Sequence, residues 1–67
     1  MDYRVRLRKV RMEHHLSQAE VAEILGMSQQ GYSHIENGRA ELKIDKLIKL
    51  CKFYKVSADY LSGYKNH

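Results

Sequence analysis

Two adjacent glutamines, Gln29 and Gln30, are the residues of this chain best suited to reading another molecule. A carboxamide carries a donor and an acceptor side by side, which matches the N6/N7 edge of adenine in the major groove of a duplex. A third glutamine, Gln18, falls at the start of a helical segment, where free backbone N–H groups and the helix dipole attract a phosphate. Its amide binds that phosphate or braces Gln29. The charges favour the same kind of partner. Twelve Lys and Arg stand against eight Asp and Glu, a net +4 that suits an anionic surface. Arg4, Arg6, Arg8, Lys9 and Arg11 crowd the start of the chain, and Arg39, Lys43, Lys46, Lys49, Lys52 and Lys55 fill its second half. From Met12 to Gly38 there is no Lys or Arg, so this stretch recognises its target mostly with uncharged side chains.

Other chemistries are poorly served. There is no Gly-rich phosphate loop, no carboxylate pair in a plausible cleft, and no nucleophile with an orienting base, so the chain does not read as an enzyme. The single cysteine, Cys51, rules out an internal disulfide, fits a reducing compartment, and has the spacing of a buried structural thiol. His14 and His15 are adjacent and point apart on a helix, and four scattered His with one Cys make no zinc pattern, so no metal and no cofactor are expected. No apolar run approaches the roughly 20 residues that span a bilayer, and the first residues lack the apolar stretch of a signal peptide. The expected location is the cytoplasm, with no membrane partner and no small-molecule substrate.

Five helical segments and no strand must position these residues, giving a compact all-α domain over 1–67. The first runs from about Asp2 to Glu13, with Leu7 and Val10 inward. Ser17-Gln18-Ala19-Glu20 is a capping box that opens the second, whose inner face is Val21, Ala22 and Leu25. Gly26 sits where a left-handed residue stops a helix. Ser28 is the next N-cap, and the third helix covers Gln29 to Glu36 with Tyr32 and Ile35 inward. Asn37-Gly38 closes it with residues that tolerate positive φ. With only Gly26-Met27-Ser28 between them, the second and third helices cross steeply over 17–37. After a loop anchored by Leu42, the fourth helix runs from Ile44 to Tyr54, with Leu47, Leu50, Cys51 and Tyr54 inward and a basic outer strip at Lys46, Lys49, Lys52 and Lys55. Ser57 caps a last helix, Ala58 to Ser62, which Gly63 ends. Gly31, one turn into the third helix, either admits close approach of a nucleic-acid backbone or of the second helix, or is neutral there.

The order of these residues is familiar. Leu16-Ser17-Gln18-Ala19-Glu20-Val21-Ala22, then Leu25-Gly26-Met27-Ser28, then Ile35-Glu36-Asn37-Gly38 resembles the lambda-repressor-like helix-turn-helix family, which includes the phage Cro proteins. Val56-Ser57-Ala58-Asp59-Tyr60-Leu61 resembles the fifth-helix segment of that family, so the likeness covers nearly the whole chain. It implies a five-helix bundle and sequence-specific binding of double-stranded DNA by a transcriptional regulator, usually a repressor. In the family's docking mode the third helix enters the major groove. The resemblance then places Gln29, Gln30, Ser33 and His34 at base edges; these four share a helix face distinct from that of Tyr32 and Ile35. It places the loop of Asn37, Arg39 and Lys43 at the DNA backbone; Gln18 and Ser28, at helix starts, are further backbone candidates, as is Arg4 or Arg6 for a flanking phosphate. It also pairs Arg11 with Glu36 as a structural contact.

One such domain spans few base pairs, and the family binds palindromic operators as two-fold dimers. Phe53, Tyr60, Leu61 and Tyr64 offer apolar surface for a homodimer, unless Tyr60 and Leu61 close the core instead. The competing reading is a protein-interaction module on the same fold, such as an antitoxin or an antirepressor partner. Salt dependence separates the two, because binding through several phosphates weakens steeply as salt rises.

Overall fold

Three corners of this chain are built alike. In each, a helix ends on a left-handed residue, an apolar residue follows, and a serine starts the next helix. The computed structural model describes residues 3–62 and contains α1 (Tyr3–Glu13), α2 (Gln18–Leu25), α3 (Gln29–Glu36), α4 (Ile44–Tyr54) and α5 (Ala58–Ser62). Asp2, Gly63 and Tyr64 lie outside the described residues.

His15-Leu16-Ser17, Gly26-Met27-Ser28 and Lys55-Val56-Ser57 are the three corners. His15, Gly26 and Lys55 have φ of 56°, 72° and 59°. At each, the apolar residue's N–H bonds a carbonyl five residues back: Leu16 to Arg11 at 3.1 Å, Met27 to Ala22 at 2.9 Å, Val56 to Cys51 at 3.1 Å. This is the Schellman arrangement, in which a reversed last turn satisfies orphan carbonyls. The apolar residues pack against the core. Each serine Oγ then accepts an N–H of the following helix: Glu20 at 3.1 Å, Gly31 at 3.0 Å, Tyr60 at 3.0 Å. At Ser17 the box is reciprocal, with its N–H donating to Glu20 Oε1 at 2.9 Å. Lys46 adds a further cap, its Nζ donating to the Leu25 carbonyl at 2.9 Å. Its ammonium thus meets the negative end of α2. Lys46 is therefore half-buried and does not belong to the exposed basic strip expected of α4.

The remaining connection differs. Asn37 is right-handed at φ −87°, and the positive φ falls on Gly38 alone, at 82°. A side chain on Gly38 would strike the Arg4 guanidinium, which lies across it.

Leu7, Val10, Val21, Ala22, Leu25, Tyr32, Ile35, Leu50, Tyr54 and Leu61 form the core, with Leu42, Leu47 and Cys51 packed against it. Every helix contributes, as the 3.6-residue spacing of apolar positions requires. Leu61 is fully buried here, so it closes the core and is withdrawn from the expected dimer surface. Arg6 is also buried. Its Nη1 donates to the Tyr60 carbonyl at 3.0 Å, and its guanidinium sits 4.3 Å from the centre of the Tyr60 ring. Arg6 clamps α5 to α1 and is no phosphate ligand; its burial removes it from solvent.

The corners make a direct prediction. Nothing stands within 4 Å of where a Gly26 side chain would project, so Gly26→Ala incurs the backbone cost of a left-handed residue alone. It lowers stability by about 1 kcal/mol, whereas Lys55→Gly relieves a similar strain and raises stability by roughly 0.5 kcal/mol. Thermal unfolding followed by circular dichroism reads both shifts.

The buried Tyr54 hydroxyl has no hydrogen-bond partner among the described residues. Burial, reinforced by the negative charge of Glu36, pushes the Tyr54 phenol up to about 12 from 10.0. A folded-state value above the unfolded one means stability is intact below pH 10 and lost as pH rises towards 12. Tyr54→Phe weakens that alkaline loss and leaves neutral-pH stability nearly unchanged, because no hydrogen bond is given up. Denaturant melts across this range test both effects.

Candidate nucleic-acid interface

The polar face of α3 is held in place by a carboxylate at its inner end. Glu36 is completely shielded from solvent. An isolated buried carboxylate is costly, and the fold answers with three donors. Arg11 from α1 grips it with two hydrogen bonds, Nε to Oε2 at 2.8 Å and Nη2 to Oε1 at 3.2 Å. Gln18, the first residue of α2, donates its Nε2 to Oε1 at 3.0 Å. Burial by itself would push the Glu36 carboxyl up. Arg11, the neighbouring Tyr32 hydroxyl and Gln18, together with the Arg11 charge, outweigh that and hold it below the ordinary 4.5. The third guanidinium nitrogen, Arg11 Nη1, donates to the Leu16 carbonyl at 2.9 Å, so one side chain fixes α1, the first corner and α3.

With α2 and α3 locked in this way, one shallow concave surface gathers Gln29, Gln30, Ser33 and His34 from α3, Asn37 and Arg39 beyond it, and Gln18 beside it. Gln29, Gln30, Asn37 and Arg39 are exposed, while Ser33 and His34 are partly so. Asn37 Nδ2 donates to Ser33 Oγ at 3.4 Å across one turn. The surface is therefore lined by amides, a hydroxyl, an imidazole and one guanidinium. It offers paired donors and acceptors at its centre and positive charge at its rim.

Two expected backbone ligands lie elsewhere. Ser28 is exposed, and its hydroxyl is occupied as the α3 cap. Lys43 begins α4 without capping it, and lines a separate apolar hollow with Met27, Gly31, Ile35 and Ala40. His34 stands on the ridge between the two depressions. Gly31 faces its own neighbours: an added Cβ would lie 3.1 Å from Ser28 Oγ and 3.2 Å from the Met27 methyl, with no α2 atom among its nearest contacts. Gln18 is turned towards Glu36 and does not bond Gln29. That bond was not legible in the sequence, because it joins residues 18 positions apart.

An α2–corner–α3 pair with a capped, polar-faced third helix, inside a five-helix bundle, defines a helix-turn-helix protein. The chain belongs to the helix-turn-helix family, of the Cro/C1 type that its sequence resembles: the family model described as Helix-turn-helix matches residues 7–61. It is similar to the uncharacterized HTH-type transcriptional regulator YobD of Bacillus subtilis, with 36% identity over 61 residues, 91% of this chain and 54% of that protein. It is also similar to the SPbeta prophage-derived uncharacterized HTH-type transcriptional regulator YonR of the same organism, with 41% identity over 56 residues, 84% of this chain and 52% of that protein. The chain thus spans about half the length of these curated relatives. A crystal structure of a transcriptional regulator from Listeria innocua superposes with a TM-score of 0.89 at 27% identity, over 98% of this chain and 62% of that one. Among the described residues, no helix is long and apolar enough to cross a membrane.

Removing Arg11 leaves Glu36 buried without its main counter-charge. Arg11→Ala is expected to lower stability by about 3–5 kcal/mol, more than any other arginine substitution. The depressed Glu36 value has its own signature. Stability is present above the ordinary carboxylate range and is lost as pH falls through and below it. Glu36→Gln removes part of this acid dependence. Melting temperatures of wild type and both variants, measured from neutral to acidic pH, test the assignment.

Proposed function

We propose that this protein binds double-stranded DNA sequence-specifically, with α3 in the major groove, and acts in the cytoplasm as a transcriptional repressor on a palindromic operator. The observation that carries the reading is the shared surface of Gln29, Gln30, Ser33 and His34 on one face of α3, flanked by Asn37, Arg39 and Gln18. Gln29 and Gln30 are the principal base readers, each able to bond adenine bidentately. Ser33 and His34 lie one turn further on and contact the next base edges. Gln18, Asn37 and Arg39 hold the phosphates on either side, which fixes register without specifying sequence. Ser28 and Lys43 take outer backbone contacts, Ser28 through its main chain because its hydroxyl is occupied. The names of the relatives, transcriptional regulators of the HTH type, support the same activity.

Binding as a homodimer places two α3 helices about 34 Å apart in successive major grooves. Phe53 is 44% exposed and Tyr60 partly so, and these two are the candidate apolar contacts that remain within the described residues.

Selection from a randomised duplex pool at near-physiological salt tests this function. An inverted repeat is the expected product. Gln29→Ala and Gln30→Ala each relax preference at one position per half-site, by about 1–3 kcal/mol of discrimination. Recovery of no motif, with only weak salt-labile binding, would overturn the reading.

A further inference from the structure

Arg8 is set apart from the other arginines of α1. Arg4, Arg8 and Arg11 follow one another at i, i+4 and i+7, so they form a single stripe along the helix. Arg11, its side chain 13% exposed, grips Glu36, and Arg4 lies across Gly38. Arg8 between them is 51% exposed, with its Nε 3.9 Å from Glu36 Oε1. That oxygen is the one that accepts the Gln18 amide at 3.0 Å. Arg8 and Gln18 therefore converge on one atom from two different helices.

The distances differ in meaning. At 3.0 Å Gln18 is hydrogen-bonded; at 3.9 Å Arg8 is attracted and not bonded. The Glu36 charge is already met by the two bonds from Arg11. Arg8 thus contributes positive charge with its donors uncommitted. Gln18 has spent one N–H on Glu36 and retains a second, and its side chain lines the polar surface in front of α3.

We infer that Arg8 and Gln18 form a two-point clamp for a single DNA phosphate, and that Glu36 is the positioning residue that aims both. The inference rests on the DNA-binding reading and adds a ligand from α1 that the sequence did not single out. Glu36 fixes the rotation of the Gln18 amide, so the free N–H points outwards. It draws the Arg8 guanidinium to the same spot. A phosphate arriving there meets one neutral and one charged donor with their geometry set in advance, which lessens the ordering cost of binding. The buried carboxylate does not repel it, because Arg11 neutralises that charge.

The test is a salt titration of binding to the duplex recovered by selection, with wild type, Arg8→Ala, Gln18→Ala, the double variant, and Lys9→Ala as the control. Lys9 is exposed on α1 and lies off the arginine stripe. Arg8→Ala is expected to reduce the slope of log K against log salt by about one, the signature of one lost phosphate charge. Gln18→Ala weakens binding about tenfold and leaves the slope unchanged, since it carries no charge. The double variant loses less than the product of the two, because both act on one phosphate. In a Glu36→Gln background, checked by melting to be folded at the assay temperature, that coupling between Arg8 and Gln18 falls. A purely structural role for Glu36 would leave it unchanged. Equal slopes for Arg8→Ala and Lys9→Ala, or strict additivity of Arg8→Ala and Gln18→Ala, would overturn the clamp while leaving the DNA reading intact. If Glu36→Gln does not fold, the cycle in the wild-type background still decides the clamp. Failure of the wild type to bind any duplex removes the reading and the clamp together.

Discussion

One buried negative charge organises this molecule. Glu36 ends α3 inside the protein, and its carboxylate has no access to water. A lone charge in that position would cost several kcal/mol, so the surrounding helices must supply donors. Arg11 and Gln18 do so from α1 and α2. The consequence is geometric more than energetic. A bidentate guanidinium bond tolerates little rotation, and the same arginine holds the Leu16 carbonyl. The helix that bears the recognition face is thereby fixed against two neighbours at its inner end, while hydrophobic contacts of Tyr32 and Ile35 fix its underside.

Much of the fold was legible in the chain because its instructions are local. The capping box at Ser17, the serines at 28 and 57, and Gly26 mark helix boundaries within one or two residues, and the structure places them there. The inner faces of the first four helices followed from periodicity. What escaped was non-local or unconventional. His15 and Lys55 adopt a conformation usually reserved for glycine, and the sequence signal was the apolar-serine pair after each. With Gly26 they make one corner used three times, visible as a repeat only once the backbone is known. Arg6 and Lys46 looked like surface charges, but each has a backbone carbonyl waiting for it on another helix, at Tyr60 and Leu25. No spacing rule can reveal such partners.

The candidate site shows the same division. The α3 positions that face outwards were readable from helical geometry alone. Gln18, Asn37 and Arg39 were readable as backbone ligands; that they line one surface with the α3 face follows from the relative placement of α2 and the following loop. Arg11 with Glu36 came from the family resemblance. Leu61 was offered for an interface because apolar residues near the end of a short chain look surplus. Its complete burial reflects how little core a domain of this size can spare.

The Arg6–Tyr60 clamp has a mechanical consequence. It joins the first helix of the bundle to the last, near both ends of the described chain. Tension applied between those ends would therefore load this contact. It would shear the guanidinium from the ring and carbonyl, and peel away α5, a helix of only five residues. The Glu36 junction, among α1, α2 and α3, does not involve α5. A pull on α5 is thus taken by the Arg6–Tyr60 contact, while the recognition helix is held by a separate set of bonds at Glu36.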